Sequence, residues 1–115
     1  MNRAWRLQVA LPLAALLVAA VPPSAPPSLV ELRADARQLV TGRCGSCHSG
    51  TSPKALPGAL KVYDIDQVEW TKRMSDVQVK KILERFRGPA IPKDELDRVT
   101  AFVEAELASR SPRAP

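Results

Sequence analysis

Cys44, Cys47 and His48 are the only cysteines and the only histidine in this 115-residue chain, and they share one pentapeptide, Cys44-Gly45-Ser46-Cys47-His48. That arrangement limits what can hold the fold together. A bridge between Cys44 and Cys47 would close almost no loop. A structural zinc site takes four ligands, and Cys44, Cys47 and His48 are only three. The part of the chain that reads as foldable is about 82 residues, Leu29 to Arg110, and aromatics are only 4% of the chain. A core of that size seldom supplies more than ~3–5 kcal/mol. Something other than a disulfide must complete it.

The N-terminus reads as an export leader. Asn2 to Arg6 carries two positive charges and no acid, and Leu7 to Val21 is apolar apart from Gln8 and Pro12. Val18-Ala19-Ala20 supplies the small residues a signal peptidase reads. The run is short for a membrane span, which needs ~20 apolar residues. The expectation is a signal peptide over residues 1–20, cleaved after Ala20, and a protein delivered to the periplasm or another extracytoplasmic space. The alternatives are a core helix and an uncleaved anchor, the latter the one route by which a membrane would become a partner. Cleavage removes Arg3 and Arg6 and no acid, so the formal charge falls from +5 to +3. A charge that mild, outside the cytoplasm, argues against nucleic acid as a partner. Residues 21–28 hold four prolines and read as an extended spacer.

The remainder reads as all-α, with about four helices. Ser28-Leu29-Val30-Glu31 is a capping box, and apolar residues at helical spacing predict a first helix over Leu29–Gly42. Gly45, Gly50, Pro53, Pro57 and Gly58 predict a loop from Cys44 to Ile65. Asp66-Gln67-Val68-Glu69 predicts a short helix ending near Met74. Ser75 opens another, with Val79, Ile82, Leu83 and Phe86 on one face and Gly88-Pro89 as its stop. After Pro92, the acids Asp94, Glu95 and Asp97 mark the start of a last helix running to about Ser109. Residues 111–115 read as a disordered tail.

The pentapeptide is the C-x-x-C-H pattern of covalent c-type haem attachment. Two thiols add across the two vinyl groups of one porphyrin, so both must face the same edge, and the adjacent histidine becomes the proximal ligand of the iron. Attachment takes place outside the cytoplasm, which the leader independently provides. A thiol–disulfide centre also uses C-x-x-C, at the start of a helix that follows a strand; no strand is expected here. With no second histidine in the chain, bis-histidine ligation within one molecule is excluded. The sixth position falls to Met74, to a weak ligand such as lysine or tyrosine, or to nothing. Met74 is the sole methionine left once Met1 departs; a lone methionine also serves as core filler.

In these respects residues 29–107 resemble the single-haem c-type cytochromes of class I, the cytochrome-c-like domain. The likeness rests on an N-terminal helix running into Cys44-Gly45-Ser46-Cys47-His48, a proline-containing loop, and the aliphatic–aromatic stretch Leu96 to Val103. The resemblance implies that the first and last helices cross with Phe102 near the contact. Ala36 and Val40 stand where the family usually has a glycine and an aromatic. It also implies Met74 as distal ligand, since Trp70-Thr71-Lys72-Arg73-Met74 fits a Trp-x-x-x-Met element of compact members.

Further expectations follow for the pocket. Leu39, Val40, Leu56, Leu60, Ile82, Phe86, Val99 and Val103 are candidates for an apolar wall. Pro53 or Pro57 offers a carbonyl to the second nitrogen of His48. Trp70 either donates its indole N–H to a haem propionate or packs in the core. Lys72, Arg73, Lys80, Lys81, Arg85 and Arg87, opposed by Asp76 and Glu84, form either a solvated face or a rim that steers acidic redox proteins. No acid–base set for bond-making chemistry is evident. The sequence therefore reads as a one-electron carrier or small electron-transfer subunit. The alternatives are a haem sensor with an open distal position and a haem-free thiol–disulfide protein.

Overall fold

The computed structural model describes residues 25–111. The expected leader, residues 21–24 of the spacer and residues 112–115 of the tail lie outside that range. The described residues form four helices and no strand: α1 (Leu29–His48), α2 (Pro57–Val62), α3 (Asp76–Arg85) and α4 (Lys93–Arg110). None of these helices is long and apolar enough to cross a membrane. The all-α expectation therefore holds, but the helices are not all the expected ones.

α1 starts where the capping box places it. The Ser28 hydroxyl accepts from the Glu31 amide, and the Glu31 carboxylate accepts from the Ser28 amide. It then runs past Gly42 to His48. Glycine ends a helix by adopting positive φ, and no glycine here does so. Gly42 and Gly45 instead lie inside the helix, each at a cost of roughly 1 kcal/mol relative to alanine.

The helix expected over Asp66–Met74 is replaced by consecutive turns, closed by i→i−3 bonds such as Lys72 to Glu69 and Met74 to Thr71. The reason lies in the cap. Asp66 spends its carboxylate on Ser49 and Thr51, across the loop, rather than on the amide of Glu69. A helix forms instead at α2, where Pro57 occupies the first turn and lacks only an N–H that would have no partner there. α3 and α4 match expectation. Ser75 and Gln78 form the second capping box, and Asp94 and Glu95 fill the first turn of α4.

α1 and α3 both pack on α4, and α2 packs on α1. Ala36 and Val40 of α1 are fully buried with Val99, Phe102 and Val103 of α4, so a small-against-large contact forms the centre of the core. Burying side chains of these sizes contributes roughly 1.5–3 kcal/mol each for the larger ones. Val79, Ile82 and Phe86 close one side of it. Three ion pairs join α1 to α4: Arg33 with Glu106 at 2.7 Å, Arg43 with Glu95 at 2.6 Å, and Asp35 with Arg98. The last two are partly exposed and contribute little. Glu106 is different, because it is only 1% exposed.

Candidate functional site

Because α1 extends to His48, Cys44, Cys47 and His48 stand at i, i+3 and i+4 in its last turns. That spacing puts both thiols and the imidazole on one helix face. The thiols are free and half-buried.

A helix end leaves its last four carbonyls without helical partners. Here the following loop supplies all of them. Gly45 O accepts from the Ser49 amide, Ser46 O from the Ser52 hydroxyl, Cys47 O from the Leu56 amide and His48 O from the Ile65 amide. The loop is itself braced. Asp66 accepts from the Ser49 hydroxyl at 2.6 Å and from the Thr51 amide at 3.1 Å. Asp64 accepts from the amides of Gly50 and Asp66. These bonds hold both carboxyls below the usual range; the leading cause is the Gly50 amide at Asp64 and the Ser49 hydroxyl at Asp66. A Cβ at Gly50 would lie 2.7 Å from an Asp64 side-chain oxygen, so a larger residue there would displace the carboxylate that braces the loop.

His48 is oriented by Tyr63. Its Nδ1 lies 3.2 Å from the Tyr63 carbonyl oxygen. A carbonyl can only accept, so Nδ1 carries the proton in this contact and Nε2 keeps its lone pair. The Tyr63 ring stacks on the imidazole, with centroids 3.8 Å apart and planes within 2°. Burial pushes the Tyr63 phenol well above its usual pKa, and the adjacent Cys44 thiol pushes it the same way. The expectation that Pro53 or Pro57 would supply the carbonyl is corrected: both are exposed, and Tyr63, just past the end of α2, does so.

The thiols and the imidazole line a cavity of about 550 Å³. Pockets for small organic ligands span roughly 300–1,000 Å³. α2 contributes Ala59 and Val62 to the wall, α3 contributes Ile82, and Phe86 follows it. Met74 lines the same cavity and is only 4% exposed. Arg43, Lys81 and Arg85 also line it, with no acid among the lining residues. Arg43 is paired with Glu95 and lies over the Phe86 ring. Lys81 and Arg85 form no salt bridge among the described residues.

Several expected wall residues are elsewhere. Val40, Val99 and Val103 are buried in the core without reaching the cavity, and Leu39 packs against that core from its edge. Leu56 is exposed, and Leu60 is half-buried but not part of the wall. Trp70 packs between Tyr63 and Phe102, at 5.6 and 5.4 Å. It borders a separate, polar depression with Arg33, Glu106 and Arg110. Tyr63, Arg43 and the α2 residues are the part of the site that sequence reasoning missed. Pro57 as a first-turn residue was the available signal for α2; nothing in the sequence marks Tyr63 beyond its being the only tyrosine.

Among the described residues, no group of three or more His, Cys, Asp or Glu side chains is placed to hold a metal ion directly. A haem iron does not need such a group, because the macrocycle supplies four nitrogens and the protein only axial ligands. The donor set fits that demand: two thiols on one face, an imidazole with its Nε2 lone pair available, a thioether in the same cavity, and basic groups for carboxylates. No family model, curated protein or solved structure matches this chain.

Proposed function

We propose that this chain is an exported single-haem c-type cytochrome, a one-electron carrier or a small electron-transfer subunit rather than an enzyme. The observation that carries the reading is the convergence of Cys44, Cys47, His48 and Met74 on one cavity of about 550 Å³. Cys44 and Cys47 would hold the haem through thioethers, with His48 as proximal and Met74 as distal ligand. The bound group supplies reversible one-electron iron chemistry. The protein's task is to hold, insulate and tune it.

His48 and Met74 divide that task. The Tyr63 carbonyl fixes the imidazole tautomer and strengthens its donor character, the usual role of an outer partner. A thioether as second ligand favours ferrous iron and raises the potential. Ile82, Phe86 and Val62 in the wall disfavour the extra charge of ferric iron in the same direction. Lys81 and Arg85 at the cavity offer charge to haem propionates or to an acidic redox partner.

The rival readings are weaker on specific grounds. Thiol–disulfide centres place the reactive cysteine where a helix N-terminus supports the thiolate. Cys44 and Cys47 lie in the last turns of α1, at the opposite pole. A ligand sensor needs an open sixth position, and Met74 already borders the cavity.

The test is the mass of the polypeptide purified from a host with haem-attachment machinery. One haem should be added to the wild-type chain and none to the Cys44→Ala, Cys47→Ala double variant. An unmodified wild-type mass would overturn the proposal. Carbon monoxide then separates carrier from sensor: a His48/Met74 pair resists it at neutral pH, and an open iron binds it readily.

A further inference from the structure

The turn that carries Met74 is gripped by a single side chain from the far end of α4. Arg110 donates from Nη2 to the Thr71 carbonyl at 2.7 Å and from Nη1 to the Met74 carbonyl itself. Nη1 also reaches Asp76 Oδ1 at 3.4 Å, in the first turn of α3. The guanidinium is held in turn by Glu106, which accepts from Nε at 3.2 Å and Nη2 at 3.1 Å. All five donors of the arginine are thereby matched to acceptors. Glu106 is 1% exposed and is anchored on its other side by Arg33 of α1, at 2.7 Å. A buried carboxylate so well satisfied is a rigid post.

Resting on the reading of Met74 as distal ligand, we infer that Arg110, held by Glu106, is a positioning residue that fixes the Met74 turn so that the thioether stays at the iron site. Nothing else among the described residues bonds the carbonyls of both Thr71 and Met74. Without that grip the turn keeps its own i→i−3 bonds, the Ser75 amide's bond to Gln78 and the packing of Trp70 and Met74, but no side chain holds the Met74 carbonyl. Backbone freedom there passes straight to the thioether. A lysine cannot replace the fork, because it brings one point charge and three donors.

The experiment uses the haem-bearing full chain. Three variants, Arg110→Met, Arg110→Lys and Arg33→Met, are compared with wild type and with Met74→Leu. The readouts are the far-red charge-transfer band of ferric thioether-ligated haem and the affinity of the ferrous protein for carbon monoxide. Arg110→Met should weaken the band and raise carbon monoxide affinity by roughly tenfold, the scale of lost charge-assisted hydrogen bonds. Arg110→Lys should fall between. Arg33→Met breaks the other Glu106 pair but leaves the grip, so it should keep wild-type values. Unchanged readouts in both Arg110 variants, or an equal change in Arg33→Met, would overturn the inference. If Arg110→Met yields no haem-bearing protein, Arg110→Lys decides: weakened ligation supports the role and wild-type ligation refutes it. Met74→Leu keeps the two proposals apart. A band that survives in Met74→Leu refutes Met74 as ligand, whereas its loss there with no effect at Arg110 refutes only the positioning role.

Discussion

Tyr63 and Glu106 show how single side chains acquire their roles from burial. Tyr63 is the only tyrosine in the chain, so its ionisation can be followed without interference from another. Burial, then the Cys44 thiol, keep its phenol protonated beyond the usual range. Its ring resonances should therefore titrate above ~10, the ordinary value; titration at that value would contradict the burial described. The sign for stability follows. Above pH ~10 the unfolded chain loses this proton while the folded chain keeps it, so stability falls as pH rises. Glu106 works in the opposite direction. Burial alone would raise its pKa, but the hydrogen bond and charge of Arg33, reinforced by Arg110, outweigh burial and lower it. Its contribution is complete above the ordinary glutamate value of ~4.3 and is lost as pH falls through the lower native value. Glu106→Gln should cost roughly 1.5–3 kcal/mol at neutral pH and flatten the acid limb of the stability profile. An unchanged acid limb would remove Glu106 from that role.

At the scale of the elements, the end of α1 matters most, because the loop after it satisfies its last four carbonyls and braces His48. Asp66→Ala removes the acceptor of the Thr51 amide. Hydrogen exchange at Thr51 should accelerate and spread to the Ser49 and Leu56 amides that cap α1. Exchange confined to Thr51 would show that the loop does not act as a unit. Ser75→Ala should cost about 1 kcal/mol, the worth of an N-cap, measured by thermal or denaturant unfolding; no loss would mean the Gln78 half of the box suffices. These elements also show what the sequence could and could not disclose. Ser28 and Ser75 announce their helices because a capping box is local chemistry, complete within four residues. The alternation of Val79, Ile82 and Phe86 is equally local. Asp66 misleads for the converse reason: its carboxylate is claimed by Ser49 and Thr51, partners that come close only in the folded chain. Gly42 and Gly45 mislead likewise, since α1 runs through both to His48, where a later loop caps its last carbonyls. The pentapeptide brings the thiols and the imidazole together by its spacing, but their place on a helix face was not legible, because the expected loop from Cys44 is helix as far as His48. Tyr63 was not legible either, because its carbonyl reaches His48 through a loop whose path no periodicity encodes.

Across the described residues, a small core of aliphatic and aromatic side chains borders, through Tyr63, Met74, Ile82 and Phe86, a cavity that also carries basic side chains. A covalently held haem would add buried apolar area to a domain whose own core contributes little. The haem-bearing protein should accordingly unfold at markedly higher temperature than the apo-protein; equal melting temperatures would show that the cavity contributes nothing to stability. Lys81 and Arg85 at the cavity also give the site one sign of charge. Electron transfer with an acidic partner should slow as ionic strength rises and the Debye length falls from ~10 Å at 0.1 M to ~3 Å at 1 M. A second-order rate indifferent to salt would assign those residues to the solvated surface alone. Covalent haem attachment is tested most directly by visible spectra of the full chain, made in a haem-attaching host, before and after acid–acetone extraction. Colour that stays with the polypeptide, with reduced and oxidised forms interconverting, is the outcome that covalent attachment through Cys44 and Cys47 requires. A colourless protein, or colour that leaves with the solvent, would contradict it.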